Sequence, residues 1–183
     1  MNSFEKGCKV EKNGMDVLLP YIESKAYQGR VVPLFGNAQN KELQQYGDIL
    51  MSTESDKYIT IDLKIETRFT GNFFIETWSN KSRFNQGWVY KCRSDRIFYY
   101  FLDKPEIFYS IVTEKFKEWL FASVGNKPRL FSFSEVKQSK YDQMNDTWGV
   151  IIPVEAALSS NSVKAVMLPS EFIGSALSER LGA

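Results

Sequence analysis

Histidine is absent from the 183-residue chain, and this absence restricts its chemistry more than any other feature of composition. Without an imidazole, the chain cannot use Ser-His-Asp or Cys-His catalysis and cannot bind zinc through histidine. The only two cysteines, Cys8 and Cys92, lie far apart, which excludes a CxxC zinc site and argues against a disulfide framework. Any catalysis would therefore depend on carboxylates, lysine, tyrosine or hydroxyl groups.

Long apolar runs and net charge are also scarce. No run of about 18 apolar residues is present to span a bilayer, and the start, MNSFEKGCKVEKNG, lacks the apolar region of a signal peptide. We therefore predict no membrane segment and a cytoplasmic location. The net charge is only +1, from 23 basic and 22 acidic residues, so any site for a polyanion must be local.

Apolar and aromatic residues are plentiful, at 43% and 15% of the chain, which is enough to build a core. We predict one domain over residues 1–183, with its core at about 15–124 and a C-terminal extension at about 125–183. Short links between the first three strands indicate an antiparallel meander, and the mixture of elements indicates an α+β class. The predicted elements are a helix at 15–27 that Pro20 either begins or kinks, a helical turn at 40–46, meander strands at 48–53, 58–68 and 73–78, strands at 96–102 and 106–112, a helix at 113–125 that Gly125 ends, and strands at 129–134 and 148–154.

The stretch DKYITIDLKIETR, residues 56–68, has Ile59, Ile61, Leu63 and Ile65 at alternate positions, as expected of a half-buried strand. Its other face carries Asp62 and Lys64, whose side chains point the same way because they are two residues apart on a strand. Such a pair is usually a solvated polar face. A second carboxylate from the preceding strand would instead make it a candidate metal site, and Asp48, directly after Gly47, is placed to supply one.

These residues resemble the PD-(D/E)XK nuclease superfamily, in which a helix is followed by a three-strand antiparallel meander, a helix and another strand. Gly47-Asp48 stands at the PD position, with glycine in place of proline, and Asp62-Leu63-Lys64 stands at the (D/E)XK position. The resemblance implies that Asp48, Asp62 and the Leu63 carbonyl bind Mg²⁺ or Mn²⁺ and that Lys64 assists the nucleophilic water. It also implies no organic cofactor.

The resemblance extends over roughly residues 15–112. The segments KIETRFTGNFFIETWS and GWVYKCRSDRIFYYFL look like small phage and restriction-type members, although Ser94-Asp95-Arg96 matches their strand entry only in part. Members often take a further acidic ligand from the first helix, for which Glu23 is the candidate and Glu42 its rival. Glu66 and Glu76 are at most neighbours of the site.

A local excess of basic residues follows Lys64. The connector of residues 79–94 (the basic connector) contains four cations and no acid, interleaved with aromatic rings that either stack on bases or pack. This polarity favours nucleic acid as the partner, and DNA before RNA. An enzyme that cuts both strands of duplex DNA would work as a homodimer. The predicted nucleic-acid contacts are Arg68, Lys81, Arg83, Lys91 and Arg93.

Two other interpretations remain open at the level of sequence. The chain could be a non-catalytic protein with a nuclease fold, of phage origin, that binds nucleic acid or a host or defence protein. It could also lack a metal site altogether. A second acid and base pair, Glu135 and Lys137, has no upstream partner strand and is not predicted to be a site.

Overall fold

The structure is a computed structural model that describes residues 3–34, 46–138 and 146–173, and the side chains from residue 7 onward within these ranges. The predicted helical turn at 40–46 lies almost wholly outside the described residues. The helices are α1 (Ser3–Lys25), α2 (Trp88–Lys91), α3 (Thr113–Phe121) and α4 (Val154–Leu158). The strands are β1 (Val31–Pro33), β2 (Ile49–Glu54), β3 (Lys57–Glu66), β4 (Asn72–Asn80), β5 (Asn85–Gln86), β6 (Arg96–Phe101), β7 (Ile107–Val112), β8 (Ser123–Val124), β9 (Lys127–Pro128), β10 (Ser134–Lys137), β11 (Trp148–Pro153) and β12 (Val163–Met167).

The chain divides into two compact units, each assembled from separate segments. The first unit comprises residues 1–69, 94–111 and 164–183, and the second comprises residues 70–93 and 112–163. The predicted α+β class is confirmed, with mainly antiparallel pairing and few helices. The prediction of a single domain stays a prediction.

The first unit contains a six-stranded sheet in the order β1-β2-β3-β6-β7-β12. Helix α1 covers one face of it, because its buried residues Met15, Leu18 and Ile22 recur at helical spacing and pack with Ile61 and Leu63 of β3. The odd-numbered face of β3 is thus core, as its alternation predicts. Its polar face lies on the opposite side of the sheet.

The pairing of β3 corrects part of the predicted meander. The antiparallel strands are β1, β2 and β3, whereas the predicted third strand, β4, belongs to the other sheet. The second neighbour of β3 is β6, which runs parallel to it, with Lys64 opposite Tyr99. Strand β6 is apolar on both faces and therefore takes an interior position, which the half-polar β4 would fill less favourably.

Helix α1 begins at Ser3, well before the predicted start at residue 15, and continues through Pro20. Pro20 therefore does not begin it. Gly14 explains the close packing of α1 on the sheet, since a Cβ at that position would lie 2.4 Å from Ile65 Cδ1. Although α1 has 23 residues, no helix in the described ranges is long and apolar enough to cross a membrane.

The second unit contains a four-stranded sheet in the order β10-β11-β4-β5. The predicted strand at 148–154 is confirmed as β11, which pairs antiparallel with β4. The predicted strand at 129–134 is instead a 3₁₀ turn, Arg129–Ser132, followed by β10. The helix predicted to run to Gly125 ends at Phe121, because residues 123 and 124 form an exposed strand with β9 and Gly125 makes the turn between them at a φ of 64°.

Candidate functional site

Gly47 brings Asp48 against the central strand β3. The φ of Gly47 is +117°, a value that L-residues rarely adopt, and a Cβ there would lie 2.7 Å from the Ile61 carbonyl oxygen. The Asp48 N–H donates to that same carbonyl at 2.8 Å, immediately before β2 begins at Ile49. Proline, with its φ near −65°, could not adopt this backbone conformation, so the conformation explains the glycine at residue 47.

The Asp48 carboxylate accepts a backbone hydrogen bond from β3 just beyond the point at which β2 and β3 stop pairing. The last paired residues are Ile49 and Ile61, and beyond them the Leu63 N–H donates to Asp48 Oδ2 at 2.7 Å. The N–H and C=O of one strand residue point toward the same neighbouring strand. The Leu63 carbonyl therefore projects toward the edge at which Asp48 lies, as the prediction of a backbone ligand requires.

Asp62 and Lys64 form a close pair on the polar face of β3. Lys64 Nζ lies 2.6 Å from Asp62 Oδ2, and the two side chains are only 25% and 11% exposed. The pair is not a solvated edge, because β3 is flanked by strands on both sides. The contact lacks hydrogen-bond geometry, so Oδ2 is buried without a hydrogen-bond partner among the described residues.

Asp48 and Asp62 affect each other electrostatically. The pKa of Asp48 is raised from its ordinary value of 3.8 to about 6, first by burial and then by the negative charge of Asp62. The hydrogen bond from Leu63 and the charge of Lys64 act in the opposite direction, and Glu11 adds a further raising effect. Asp48, directly before β2, and Asp62, on β3, are therefore close enough to interact, and Lys64 lies beside Asp62.

Glu11 is the residue that sequence reasoning missed. It lies on α1 one turn before Met15, and Met15 and Leu18 continue the same helical stripe, so extending that stripe backwards would have indicated it. The candidate Glu23 is exposed and lies twelve residues further along, about 18 Å at the rise of an α-helix. Glu11 is also exposed, and its charge is the smallest of the causes that raise the pKa of Asp48, so the described residues bring neither helix carboxylate into a group of three with Asp48 and Asp62; Glu42 lies outside them.

Two carboxylates, and not three, make up the compact part of the site. Within residues 3–34, 46–138 and 146–173, no group of three or more histidine, cysteine, aspartate or glutamate side chains is close enough to hold a metal ion. Asp48 and Asp62 with the Leu63 carbonyl offer oxygen ligands, the type that Mg²⁺ and Mn²⁺ prefer. Of the predicted ligands, the structure therefore brings together two carboxylates and one backbone oxygen, without a third carboxylate among the described residues.

Glu66 and Glu76 have partners away from this pair. Glu66, two residues beyond Lys64 on the same face of β3, accepts a hydrogen bond from the Tyr99 hydroxyl. Glu76 lies on β4 in the second unit, where its carboxylate accepts a hydrogen bond from the Trp88 N–H at 3.2 Å. Neither contact involves Asp48 or Asp62.

The predicted nucleic-acid contacts fall in both units. Arg68 is an exposed residue of the first unit, after β3, and the other four lie in the second unit. Lys81 is held within the fold, since its Nζ lies 2.7 Å from Glu135 Oε2 and 4.2 Å from the ring centroid of Trp148. The remaining three, Arg83, Lys91 and Arg93, are exposed.

Comparisons with known proteins identify no relative: no family model, no curated protein and no solved structure matches the chain.

The raised pKa of Asp48 predicts an unusual effect of Asp48→Asn on stability in the absence of metal. A folded-state pKa of about 6 against 3.8 means that the folded protein binds this proton more tightly than the unfolded chain. The resulting stability is fully present below pH 3.8 and is lost as the pH rises through 6, to a total of ~3 kcal/mol. In EDTA, Asp48→Asn should therefore be more stable than the wild type at pH 7.5 and similar to it near pH 4, as measured by urea unfolding across this range.

Asp95→Asn is a matched control for this measurement. The Asp95 carboxylate accepts hydrogen bonds from the Thr60 N–H at 2.7 Å and the Thr60 hydroxyl at 2.9 Å, so its replacement should destabilise the protein. An Asp48→Asn variant that is less stable than the wild type at pH 7.5 would contradict the conclusion that burial and the charge of Asp62 disfavour the ionised Asp48 carboxylate.

Proposed function

We propose that this protein is a divalent-metal-dependent endonuclease of the PD-(D/E)XK type that hydrolyses phosphodiester bonds in DNA. The observation that carries this proposal is the convergence of Asp48 and Asp62 beside Lys64, at the point where β2 and β3 part. Two carboxylates and an ammonium group in one place are what metal-assisted phosphodiester hydrolysis requires.

The order of elements supports the same proposal. Helix α1, the antiparallel strands β1, β2 and β3, the short helix α2 and the parallel strand β6 occur in that order along the chain, as the resemblance implies, but β4 and β5 are inserted between β3 and α2. Asp48 then lies directly before the second of these antiparallel strands, and Asp62 lies on the third. This differs from the strand assignment made from the sequence, in which the two residues lay on the first and second strands.

The residues fit a hard divalent cation. Asp62 Oδ2 is buried beside Lys64, and a bound cation would offset the burial and the negative charge of Asp62 that raise the pKa of Asp48. Asp48, Asp62 and the Leu63 carbonyl would hold Mg²⁺ or Mn²⁺. When bound, such an ion polarises a phosphate and lowers the pKa of its water.

The other residues of the site would act on the substrate and on the carboxylates. Lys64 is close enough to Asp62 to hold a phosphate oxygen and to offset negative charge that develops on it. Leu63 donates its N–H to Asp48 and fixes the orientation of that carboxylate. Gly47 allows the close approach of the chain that brings Asp48 to this position.

The substrate and setting follow from the same proposal. We propose DNA as the substrate, contacted by exposed cations such as Arg68 and Arg83, with a homodimer where both strands of a duplex are cut in one encounter. The cytoplasm is the proposed location, in keeping with Cys8 and Cys92 as free thiols.

A non-catalytic nuclease-fold protein is the second candidate. The 2.6 Å pair between Lys64 and Asp62 already compensates the charge of one carboxylate, and the described residues contain no third carboxylate grouped with these two. In such a protein the pair would serve stability alone. Asp62→Ala would then leave binding to a nucleic acid or protein partner intact.

A panel of labelled nucleic acids tests the enzymatic proposal. We expect the wild type to cleave at least one DNA substrate in Mg²⁺ or Mn²⁺ and none in EDTA, with gel electrophoresis as the measurement, because the two carboxylates need a cation to act on a phosphodiester. The panel should include duplex, branched and single-stranded DNA, and RNA. No cleavage of any member in either metal would contradict the proposal and favour the non-catalytic protein.

A further inference from the structure

Phe84 lies at the tip of a tight hairpin in the second unit. Strands β4 and β5 pair antiparallel, with Asn80 opposite Asn85, and the chain between them forms a 3₁₀ turn, Lys81–Arg83, followed by Phe84. The side chain of Phe84 is 82% exposed, the highest value among the exposed large hydrophobic residues in the described ranges. The ring therefore offers a large apolar surface to a binding partner.

The backbone of the turn that carries this ring is held by hydrogen bonds. Phe84 has a φ of 54°, in the left-handed region that bulky residues avoid. Its N–H donates to the Lys81 carbonyl at 3.1 Å, and the Asn80 side chain accepts from the Arg83 N–H at 3.0 Å. A residue such as asparagine would suit this conformation better, so phenylalanine is an unfavourable choice for the backbone at this position.

Asp146 ties the hairpin to the rest of the second unit. Its carboxylate accepts hydrogen bonds from the Ser82 N–H at 2.9 Å, from the Ser82 hydroxyl and from the Trp148 ring N–H at 2.8 Å. These hydrogen bonds, led by that of the Ser82 hydroxyl, hold the pKa of Asp146 well below its usual range. The hairpin is thus anchored on one side while Phe84 faces solvent on the other.

The charges around the ring suit a polyanion. The basic connector contains four cations and no acid, and Arg83, directly before Phe84, is exposed. The nearby acids already have cationic partners: Glu135 pairs with Lys81, and Asp146 lies 3.2 Å from Lys137. An exposed aromatic ring beside an exposed arginine is the combination with which proteins stack on an unpaired base and hold its phosphate.

We infer that Phe84 is a stacking residue for an unpaired nucleobase of single-stranded or locally opened nucleic acid, with Arg83 as its phosphate contact. The inference rests on the proposed function for the class of partner, and it adds the form of nucleic acid recognised. The other aromatic residues of the basic connector, Trp88 and Tyr90, are partly buried and serve packing.

Fluorescence anisotropy in EDTA tests this inference without cleavage. A labelled single-stranded oligonucleotide should bind the wild type more tightly than the matching duplex does. Phe84→Ala should weaken the single-strand affinity about 5- to 100-fold, the range expected for one lost stacking contact. Phe84→Trp should retain it, with tryptophan emission quenched on binding, because the indole also stacks.

Two further variants separate stacking from stability and from general apolarity. Phe84→Asn should relieve the left-handed strain, so that its urea stability equals or exceeds that of the wild type while its single-strand affinity falls as in Phe84→Ala. Phe131→Ala removes a 51% exposed phenylalanine from the same unit and should leave the affinity unchanged.

The results also distinguish this inference from the proposed function. Equal single-strand affinities of Phe84→Ala and the wild type, or no binding of nucleic acid by the wild type, would overturn the inference, and the second result would favour a protein partner for the ring. Affinity that depends on Phe84 without cleavage in any metal would support the inference while the endonuclease proposal fails.

Discussion

Asp62→Asn is expected to reduce metal-dependent cleavage by about 10²- to 10³-fold, the loss typical of removing one charged group that acts in the transition state. The asparagine keeps the shape of the side chain, but it removes the negative charge of the buried oxygen that lies 2.6 Å from Lys64. Single-turnover cleavage of the best substrate gives the rate. A thermal-shift titration with Mg²⁺ should in parallel show stabilisation of the wild type and little of the variant.

Glu66→Gln is the matched control for this substitution. Glu66 lies on the same face of the same strand, but its carboxylate accepts the hydrogen bond of Tyr99 and makes no described contact with Asp48. We expect its cleavage rate to stay close to that of the wild type. Wild-type cleavage by Asp62→Asn would exclude this centre, and an equal loss in Glu66→Gln would place the chemistry elsewhere on the strand.

Gly47→Ala is expected to lower the free energy of unfolding by about 2–4 kcal/mol and to remove cleavage as well. At a φ of +117° the new methyl group would lie 2.7 Å from the Ile61 carbonyl oxygen, which belongs to a central strand and cannot move aside. The chain must therefore shift, and Asp48 shifts with it. Urea unfolding gives the loss of stability, and cleavage below the unfolding transition gives the effect on the site.

Gly71→Ala separates backbone strain from the lack of space. Gly71 also has a positive φ, +78°, but no heavy atom lies within 4 Å of a Cβ built there. Its replacement should cost only the conformational strain, about 1 kcal/mol, and leave cleavage unchanged. If Gly47→Ala destabilised the protein no more than Gly71→Ala does, the close approach at Ile61 would not be what positions Asp48.

The sequence predicted the central part of the candidate site because that part depends on local features. Alternation in β3 places Asp62 and Lys64 on one face of a strand, and the short link to β2 brings Asp48 near them. Both features depend on the residues within one hairpin. The residues of the predicted centre therefore lie together in the structure, apart from the choice of the helix carboxylate.

The neighbours of β3 could not be predicted in the same way. A strand pairs with the segment that both completes its backbone hydrogen bonds and covers its apolar side chains. For β3 this segment is β6, which is distant in the sequence, and not the nearer β4, which pairs with β11. The first turns of α1 also depend on contacts with residues that are distant in the sequence. Residues 3–14 contain two glycines and many polar residues, and the contact of Gly14 with Ile65 supports the helix there, so Glu11 was missed.

The parallel pairing of β3 with β6 has a consequence for how the chain folds. The β2–β3 hairpin needs only adjacent residues, so the two carboxylates can meet early, as local contacts do. The pairing of β3 with β6 must wait for residues 67–95, and β12 joins the sheet only after residues 112–163 have been synthesised. During translation the β2–β3 hairpin would thus exist before the sheet that buries it, with the apolar face of β3 exposed in the interval.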